Sequence, residues 1–329
     1  MSMKNKITVT VVSVLIVLVL LSFGAGWFML DYALKPAADA GNIALRYKRM
    51  YGKYPYMRRW VDSLKSEKAL RDTFIDMPDG YRHHAVYARG RSADGRTAIL
   101  VHGYKDSYVG MLPIAKIYAD MGYNIMLPDL HAHGLSGGDH IQMGWKDREE
   151  LIRWIGVADS LFADKRGRTR IVLHGVSMGA ATVMNVSGEQ LSSSVRCFVE
   201  DCGYTSVWDE FSCQLADEFG LPEFPVLYAA SALCKIRYGW SFGEAAPVRQ
   251  LAKNESPMLY IHGSSDSYVP SEMVFPLYNA NPVYLSPTGN YRYFNDIWIT
   301  PGCAHAESFH SYPRQYAEHV RQFVSRFMR

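Results

Sequence analysis

The stretch Ile171-Val172-Leu173-His174-Gly175-Val176-Ser177-Met178-Gly179-Ala180-Ala181-Thr182-Val183-Met184 decides the reading of this chain. Its first four residues predict a short buried strand, and the Ala-rich run from Ala180 predicts the start of a helix. Between them stands Gly-x-Ser-x-Gly. A strand that turns sharply into a helix has room only for small residues two places either side of the turning serine, because larger side chains collide inside the bend. Ser177 is therefore expected at a strand end, with its hydroxyl presented as an attacking group.

A nucleophilic serine needs a base, an acid to orient that base, and donors for the oxyanion that forms. The expected acid is Asp266 in His262-Gly263-Ser264-Ser265-Asp266, directly after the apolar run Met258 to Ile261. The expected base is His305 in Gly302-Cys303-Ala304-His305, after a strand containing Ile297-Trp298-Ile299. Asp201, following Glu200 at the end of another apolar run, is the competing acid. The expected oxyanion donors are the backbone amides of Met178 and of Tyr104, the latter in His102-Gly103-Tyr104-Lys105-Asp106-Ser107. There Gly103 lets the chain pass close to the serine turn, and His102 is expected to brace the loop. A rival cluster, Asp129, His131 and His133, resembles metal ligands, since two histidines two apart share one face of an extended segment. Gly134, Ser136, Gly137 and Gly138 mark a tight loop there and no outlying ligand is evident, so no metal and no cofactor are expected.

Working outward, eight runs read as strands: Asp72 to Met77, His84 to Arg89, Thr97 to His102, Asn124 to Pro128, Arg170 to His174, Arg196 to Glu200, Pro257 to His262 and Asp296 to Thr300. The first two flank Pro78-Asp79-Gly80 and read as an antiparallel hairpin. The others are separated by helix-sized stretches, which predicts an α/β fold, a mostly parallel eight-stranded sheet with helices on both faces. The interval between Glu200 and Pro257 exceeds a simple crossover and is rich in aromatics: Trp208, Phe211, Phe219, Phe224, Tyr228, Trp240 and Phe242. It is expected to form a helical cap, about 204–246, whose aromatics select an apolar substrate group or bury the insertion.

Composition sets the outer limits. With 329 residues, 48% apolar and 20% charged, the chain can bury a core, which excludes a disordered chain or a small disulfide-stapled scaffold. The net charge is +3, two of it from Lys4 and Lys6, so nucleic acid is not an expected partner. Five cysteines at irregular spacing give no metal-finger pattern, and a bridge between Cys213 and Cys234 stays open. Ile7 to Leu30 carries no charge and at helical rise spans about 30 Å or slightly more, enough to cross a membrane. Residues 1–30 are expected to be an uncleaved anchor, with a cleaved signal segment and a secreted product as the alternative. Residues 31–70 read as a basic stalk or linker, and 71–329 as the catalytic domain. The lysines ahead of the apolar run favour an extracytoplasmic domain, while Lys35, Arg46, Lys48 and Arg49 beyond it count the other way.

Taken together, His102-Gly103-Tyr104, the D-x-H-x-H-G-x-S segment beginning at Asp129, Gly175 to Gly179, the His262 to Asp266 loop and Cys303-Ala304-His305 resemble the α/β-hydrolase superfamily over roughly residues 70 to 329. More narrowly, the chain is similar to membrane-anchored bacterial serine hydrolases of the serine-aminopeptidase-like and monoglyceride-lipase-like branch. The resemblance implies an α/β-hydrolase fold and an acyl-serine route through Ser177, Asp266 and His305. The implied substrates are carboxylic esters, as for a carboxylesterase or a lysophospholipase or lipase. A serine aminopeptidase, amidase or acyltransferase is the alternative on the same residues. A catalytically silent, membrane-tethered binding module is the alternative of another class. Two departures stand out. Such sequences often carry Arg where His131 stands, and residues 279–295 lengthen the approach to the last strand.

Overall fold

The computed structural model describes residues 3–92, 94–281, 284–285, 291–292 and 295–329. Among these, the strands are β1 (Arg71–Asp76), β2 (Arg82–Ala88), β3 (Arg96–Val101), β4 (Asn124–Pro128), β5 (Arg170–Val176), β6 (Val195–Asp201), β7 (Met258–Gly263), the two-residue pair β8 (Tyr284–Leu285) and β9 (Tyr291–Arg292), and β10 (Asp296–Thr300). Eight of them form one sheet in the order β1-β2-β4-β3-β5-β6-β7-β10. β1 pairs antiparallel with β2 and β2 with β4; every other pairing in this sheet is parallel. This is the mostly parallel eight-stranded sheet expected from the apolar runs. Much of the long approach to the last strand, including Pro282, Ser286, Pro287, Gly289 and Asn290, lies outside the described residues.

The chain divides into two compact units. The larger, Pro36–Thr205 with Ala246–Arg329, holds the sheet. Ala98, Leu100, Val172, Val199, Leu259 and Ile261 alternate along its strands and pack against α4 (Tyr108–Asp120) and α12 (Pro313–Phe327). The intervening residues Ile99, Val101, Ile171 and Leu173 point to the other face, where α5 (Asp147–Phe162) and α6 (Met178–Ser187) lie against β3 to β6.

Residues 36–70 depart from the expected stalk. They fold as α2 (Ile43–Lys53) and α3 (Met57–Ser66), and Tyr47, Met50, Met57 and Val61 are buried in the core of the larger unit. The cause is legible in the sequence. Tyr47, Met50, Tyr51 and Tyr54 recur at spacings of three and four and make an apolar stripe, while Lys48, Arg49 and Lys53 fall off it. Asn42 caps α2, its side chain accepting the Leu45 amide hydrogen at 3.1 Å.

The smaller unit, Met1–Lys35 with Ser206–Ala245, contains α1 (Met3–Leu34), α7 (Val207–Phe219) and α8 (Val226–Tyr238). α1 is long and apolar enough to cross a membrane. Its last third is packed on α8: Leu30 and Leu34 are buried, and a Cβ at Gly26 would stand 2.8 Å from Ala229 Cβ and from the Ala230 nitrogen. The Arg237 guanidinium lies over the Trp27 ring and 3.6 Å from Asp31, and the Tyr32 hydroxyl donates to Glu218 at 3.1 Å. The aromatics of 206–245 divide in two. Trp240 and Phe242 are buried, whereas Phe224 and Tyr228 are exposed. Cys213 and Cys234 are both free thiols.

Candidate active site

The bend at Ser177 has the backbone its sequence requires. β5 ends at Val176, α6 begins at Met178, and Ser177 between them sits at φ 57°, ψ −120°, a conformation that L-residues seldom adopt. Both flanking glycines are obligatory by contact. A Cβ on Gly175 would fall 2.1 Å from the Gly179 oxygen, and one on Gly179 would fall 2.1 Å from the Val101 oxygen. The Ser177 amide donates to the Asp201 carbonyl at 2.8 Å, which pins the bend to the end of β6.

His305 reaches this bend from the loop after β10 although 128 positions separate it from Ser177. Its Nε2 stands 2.8 Å from Ser177 Oγ, and its Nδ1 stands 2.8 Å from Asp266 Oδ2. Asp266 follows β7, its carboxylate fully buried; Oδ1 accepts the amides of Tyr268 and Val269, each at 3.0 Å. Burial opposes its ionisation, but hydrogen bonds from His262 and His305 outweigh burial and hold the carboxyl below the usual carboxylate range. His262 is a partner that sequence reading missed: its Nε2 lies 3.2 Å from Asp266 Oδ2 and 3.0 Å from the Val269 carbonyl. Asp201, the competing acid, accepts instead from the Tyr316 hydroxyl at 2.9 Å, and burial pushes it up to about 6.

The structure therefore brings Ser177, His305 and Asp266 together as one hydrogen-bonded chain. A serine in such a chain can lose its proton to the imidazole as it attacks a carbonyl, while the carboxylate holds the imidazole's other N–H. Met178 supplies the first amide of α6, a helix end whose leading N–H groups have no acceptor within the helix. Tyr104 lines the same cavity that opens at Ser177 and follows Gly103, where a Cβ would come within 3.3 Å of Ser177 Cβ.

Histidines brace that loop as neutral rings. The Leu130 amide donates to His102 Nε2 at 3.0 Å, leaving His102 Nδ1–H to donate to the Gly103 carbonyl at 2.8 Å. Likewise the Lys105 amide donates to His133 Nε2 at 3.1 Å, and His133 Nδ1–H donates to the His131 carbonyl at 2.7 Å. Burial pushes the His133 imidazole well below its ordinary range, which agrees with that tautomer. From the other side the buried Arg46 of α2 donates to the Lys105 carbonyl at 2.6 Å and lies 3.6 Å from Asp106.

A cavity of about 570 Å³ opens at Ser177 and His305, a volume usual for small-molecule sites. Its walls are largely apolar, from Met50 of α2 and Tyr54 just after it, Met111 and Ile114 of α4, Tyr268 and Phe309, with Arg49 and Lys53 also lining it. The helix expected to be a linker thus forms one wall of the site.

The rival trio separates. Asp129 is used up by His84 Nδ1 at 2.8 Å and by the amides of Tyr108 and Leu135, and His133 turns toward Lys105. His131 instead joins Asp79, His83 and Glu150, a grouping that sequence reading did not foresee.

No family model matches the chain. It is 27% identical over 265 residues to the uncharacterized protein YqkD of Bacillus subtilis (strain 168), covering 80% of this chain and 82% of that one. Among solved structures it is similar to the Pyrococcus furiosus esterase Pf2001, at 22% identity and a TM-score of 0.61 over 79% of this chain and 93% of that one. It is also similar to a membrane phospholipase A described as a bacterial virulence factor, at 14% identity and a TM-score of 0.55 over 84% and 92%. A third likeness, to the Pyrococcus horikoshii acylaminoacyl peptidase, has 16% identity and a TM-score of 0.52 over 78% and 40%. The chain has the α/β-hydrolase fold.

Proposed function

We propose that this protein is a membrane-anchored serine hydrolase that cleaves carboxylic esters through an acyl-Ser177 intermediate. The observation that carries the proposal is the unbroken chain from Ser177 Oγ through His305 to the buried Asp266 carboxylate, opening on an apolar-walled cavity. His305 Nε2 takes the Ser177 proton as Oγ bonds to the ester carbonyl carbon, and Asp266 steadies the imidazolium that results. The amides of Met178 and Tyr104 face the carbonyl oxygen as it gains charge; removing one such donor typically costs about 100 to 1000-fold in turnover. His305 then protonates the departing alkoxide. Water, activated by the same nitrogen, releases the acid and restores Ser177.

The choice of an ester rests on the walls. Met50, Met111, Ile114 and Phe309 suit an acyl chain, and the likenesses to an esterase and a phospholipase A run the same way. Retention of α1 as an anchor is supported by Gly26 and Leu30, which cleavage of residues 1–30 would take away from α8.

Labelling by a fluorophosphonate probe tests the nucleophile: it is expected at Ser177 and lost in Ser177→Ala. A panel of p-nitrophenyl esters of increasing chain length beside aminoacyl amides tests the class, with esters turned over faster. Labelling that persists in Ser177→Ala with hydrolysis intact would sink the assignment. A folded protein with neither labelling nor turnover would be the binding module.

A further inference from the structure

The grouping around His131 is built from four separate elements. Asp79 comes from the turn between β1 and β2, His83 from β2, His131 from the loop after β4 and Glu150 from the first turn of α5. One donor atom from each lies within 4.8 Å of the other three. The side chains of His83, His131 and Glu150 are 0%, 2% and 9% exposed, and that of Asp79 is 31% exposed, which leaves a way in from solvent.

The distances are short, but the directions are not those of hydrogen bonds. His83 Nδ1 stands 3.0 Å from Glu150 Oε2 and His83 Nε2 stands 3.6 Å from Asp79 Oδ2. His131 Nδ1 stands 3.0 Å from Asp79 Oδ2 and 3.5 Å from Glu150 Oε1. Yet neither nitrogen of His83, neither nitrogen of His131, nor Glu150 Oε2 has a hydrogen-bond partner. Paired imidazolium and carboxylate groups this close would turn N–H toward oxygen, because a buried polar atom without a partner forfeits its hydration with nothing in return. Donor atoms arranged around a common centre behave differently. Four ligands about 2.0 to 2.1 Å from a tetrahedral metal stand about 3.3 Å from one another and aim at the metal rather than at each other. For one such set, Asp79 Oδ2, His83 Nε2, His131 Nδ1 and Glu150 Oε1, the separations of 3.6, 3.0 and 3.5 Å bracket that edge, and the remaining pairs lie within 4.8 Å. Charge agrees: the Asp79 and Glu150 carboxylates beside the two imidazoles offer the negative charge that a divalent cation would balance. Room for the His131 ring is kept by Gly138, where a Cβ would fall 2.5 Å from His131 Nε2.

We propose that Asp79, His83, His131 and Glu150 bind one divalent transition-metal ion of the zinc class, through one nitrogen of each histidine and one oxygen of each carboxylate. Four protein ligands close the coordination shell, so the site is structural: it cross-links the β1–β2 turn and β2 to the loop after β4 and to α5. That loop carries His133, which receives the Lys105 amide beside Tyr104, so the ion also steadies the segment next to the cavity. The binding claim itself does not depend on the chemistry assigned to Ser177.

The test uses the full chain in detergent, stripped with a chelator and titrated with zinc chloride by calorimetry, with metal content measured after dialysis. One zinc per chain and a higher Tm are expected. Changing a residue beyond the ligands typically weakens metal sites about 10 to 100-fold, so His83→Gln and Glu150→Gln should each weaken binding by more than about 100-fold and abolish the Tm gain. X-ray absorption of the zinc-loaded protein should show only nitrogen and oxygen neighbours near 2.0 to 2.1 Å. This measurement needs no variant, so it decides even if His83→Gln or Glu150→Gln fails to fold. Three results would overturn the proposal: no saturable binding, binding that survives both substitutions, or a sulfur shell near 2.3 Å. The last would place the ion at a different grouping, Cys202 with Asp266 and His305, the one that holds a sulfur.

Discussion

The larger unit contains two clusters made from nearly the same side chains, and they differ in where those side chains aim. At Ser177 each nitrogen of His305 points at one oxygen, 2.8 Å away on either side, and the three residues form a line. Around His131 the nitrogens and oxygens are almost as close, yet neither nitrogen of His83 or His131, nor Glu150 Oε2, makes a hydrogen bond, and one donor atom from each of four residues gathers within 4.8 Å. A line moves a proton from one end to the other. A cage holds a cation. Residue type alone does not separate the two, since histidine and carboxylate serve both; direction does.

Three substitutions probe that contrast, taken from the largest effect to the smallest. Asp266→Asn leaves the line in place but offers His305 the wrong partner, so turnover of a p-nitrophenyl ester should fall about 10,000-fold. Zinc stoichiometry should stay at one per chain, and a joint loss of both would mean that the clusters are not separate. The same substitution should flatten the acid limb of stability. Asp266 titrates below its unfolded value, so its contribution is complete above about pH 3.9 and is lost as pH falls through the lower folded value. Thermal melts from pH 5 down to pH 2 check this.

Glu150→Gln reverses the pattern. Zinc affinity should collapse, ester turnover should drop only about 10-fold through the loosened loop after β4, and Ser177 should still be labelled to completion. A loss as deep as that of Asp266→Asn would make Glu150 part of the line. The smallest effect is expected at Glu200, a buried acid that belongs to neither cluster. Burial pushes it up to about 8, and Oε1 has no partner while Oε2 accepts the Gly203 amide at 3.0 Å. A raised folded value means that stability declines as pH rises from the unfolded value toward 8. Glu200→Gln should remove that decline and raise Tm at pH 8 by roughly 2 to 4 °C. A Tm profile against pH identical to that of the unsubstituted chain would show that Glu200 is not protonated in the folded state.

The line was readable in the sequence because each member sits at the C-terminal end of a strand, and strand ends are marked by apolar runs followed by glycine or small residues. Ser177 follows Ile171 to Val176, Asp266 follows Met258 to Gly263, and His305 follows Asp296 to Thr300. A parallel sheet gathers such ends on one edge whatever their separation along the chain. The cage has no such marker. Its residues come from a turn, a strand interior, a loop and a helix, with no fixed spacing, and a reading by local pattern joins His131 to Asp129 and His133 instead. The wall from α2 was missed for another reason. The density of Lys and Arg between Arg46 and Lys53 suggests a solvated linker, although the three-and-four spacing of Tyr47, Met50 and Tyr54 already describes a helix with a face to bury.

The contact of Gly26 with Ala229 and Ala230 bears on how freely the first thirty-odd residues can change. A plain tether tolerates any apolar replacement, since lipid asks only for length and hydrophobicity. Here that tolerance should end partway along the helix: substitutions from Ile7 to Leu21 face no protein neighbour, whereas a bulkier residue at 26 must push α8 away. The same boundary governs where the chain can be cut. Beginning it at residue 36 uncovers the α8 surface that Gly26, Leu30 and Leu34 had covered, so a soluble fragment should need polar replacements on that strip of α8 to stay dispersed.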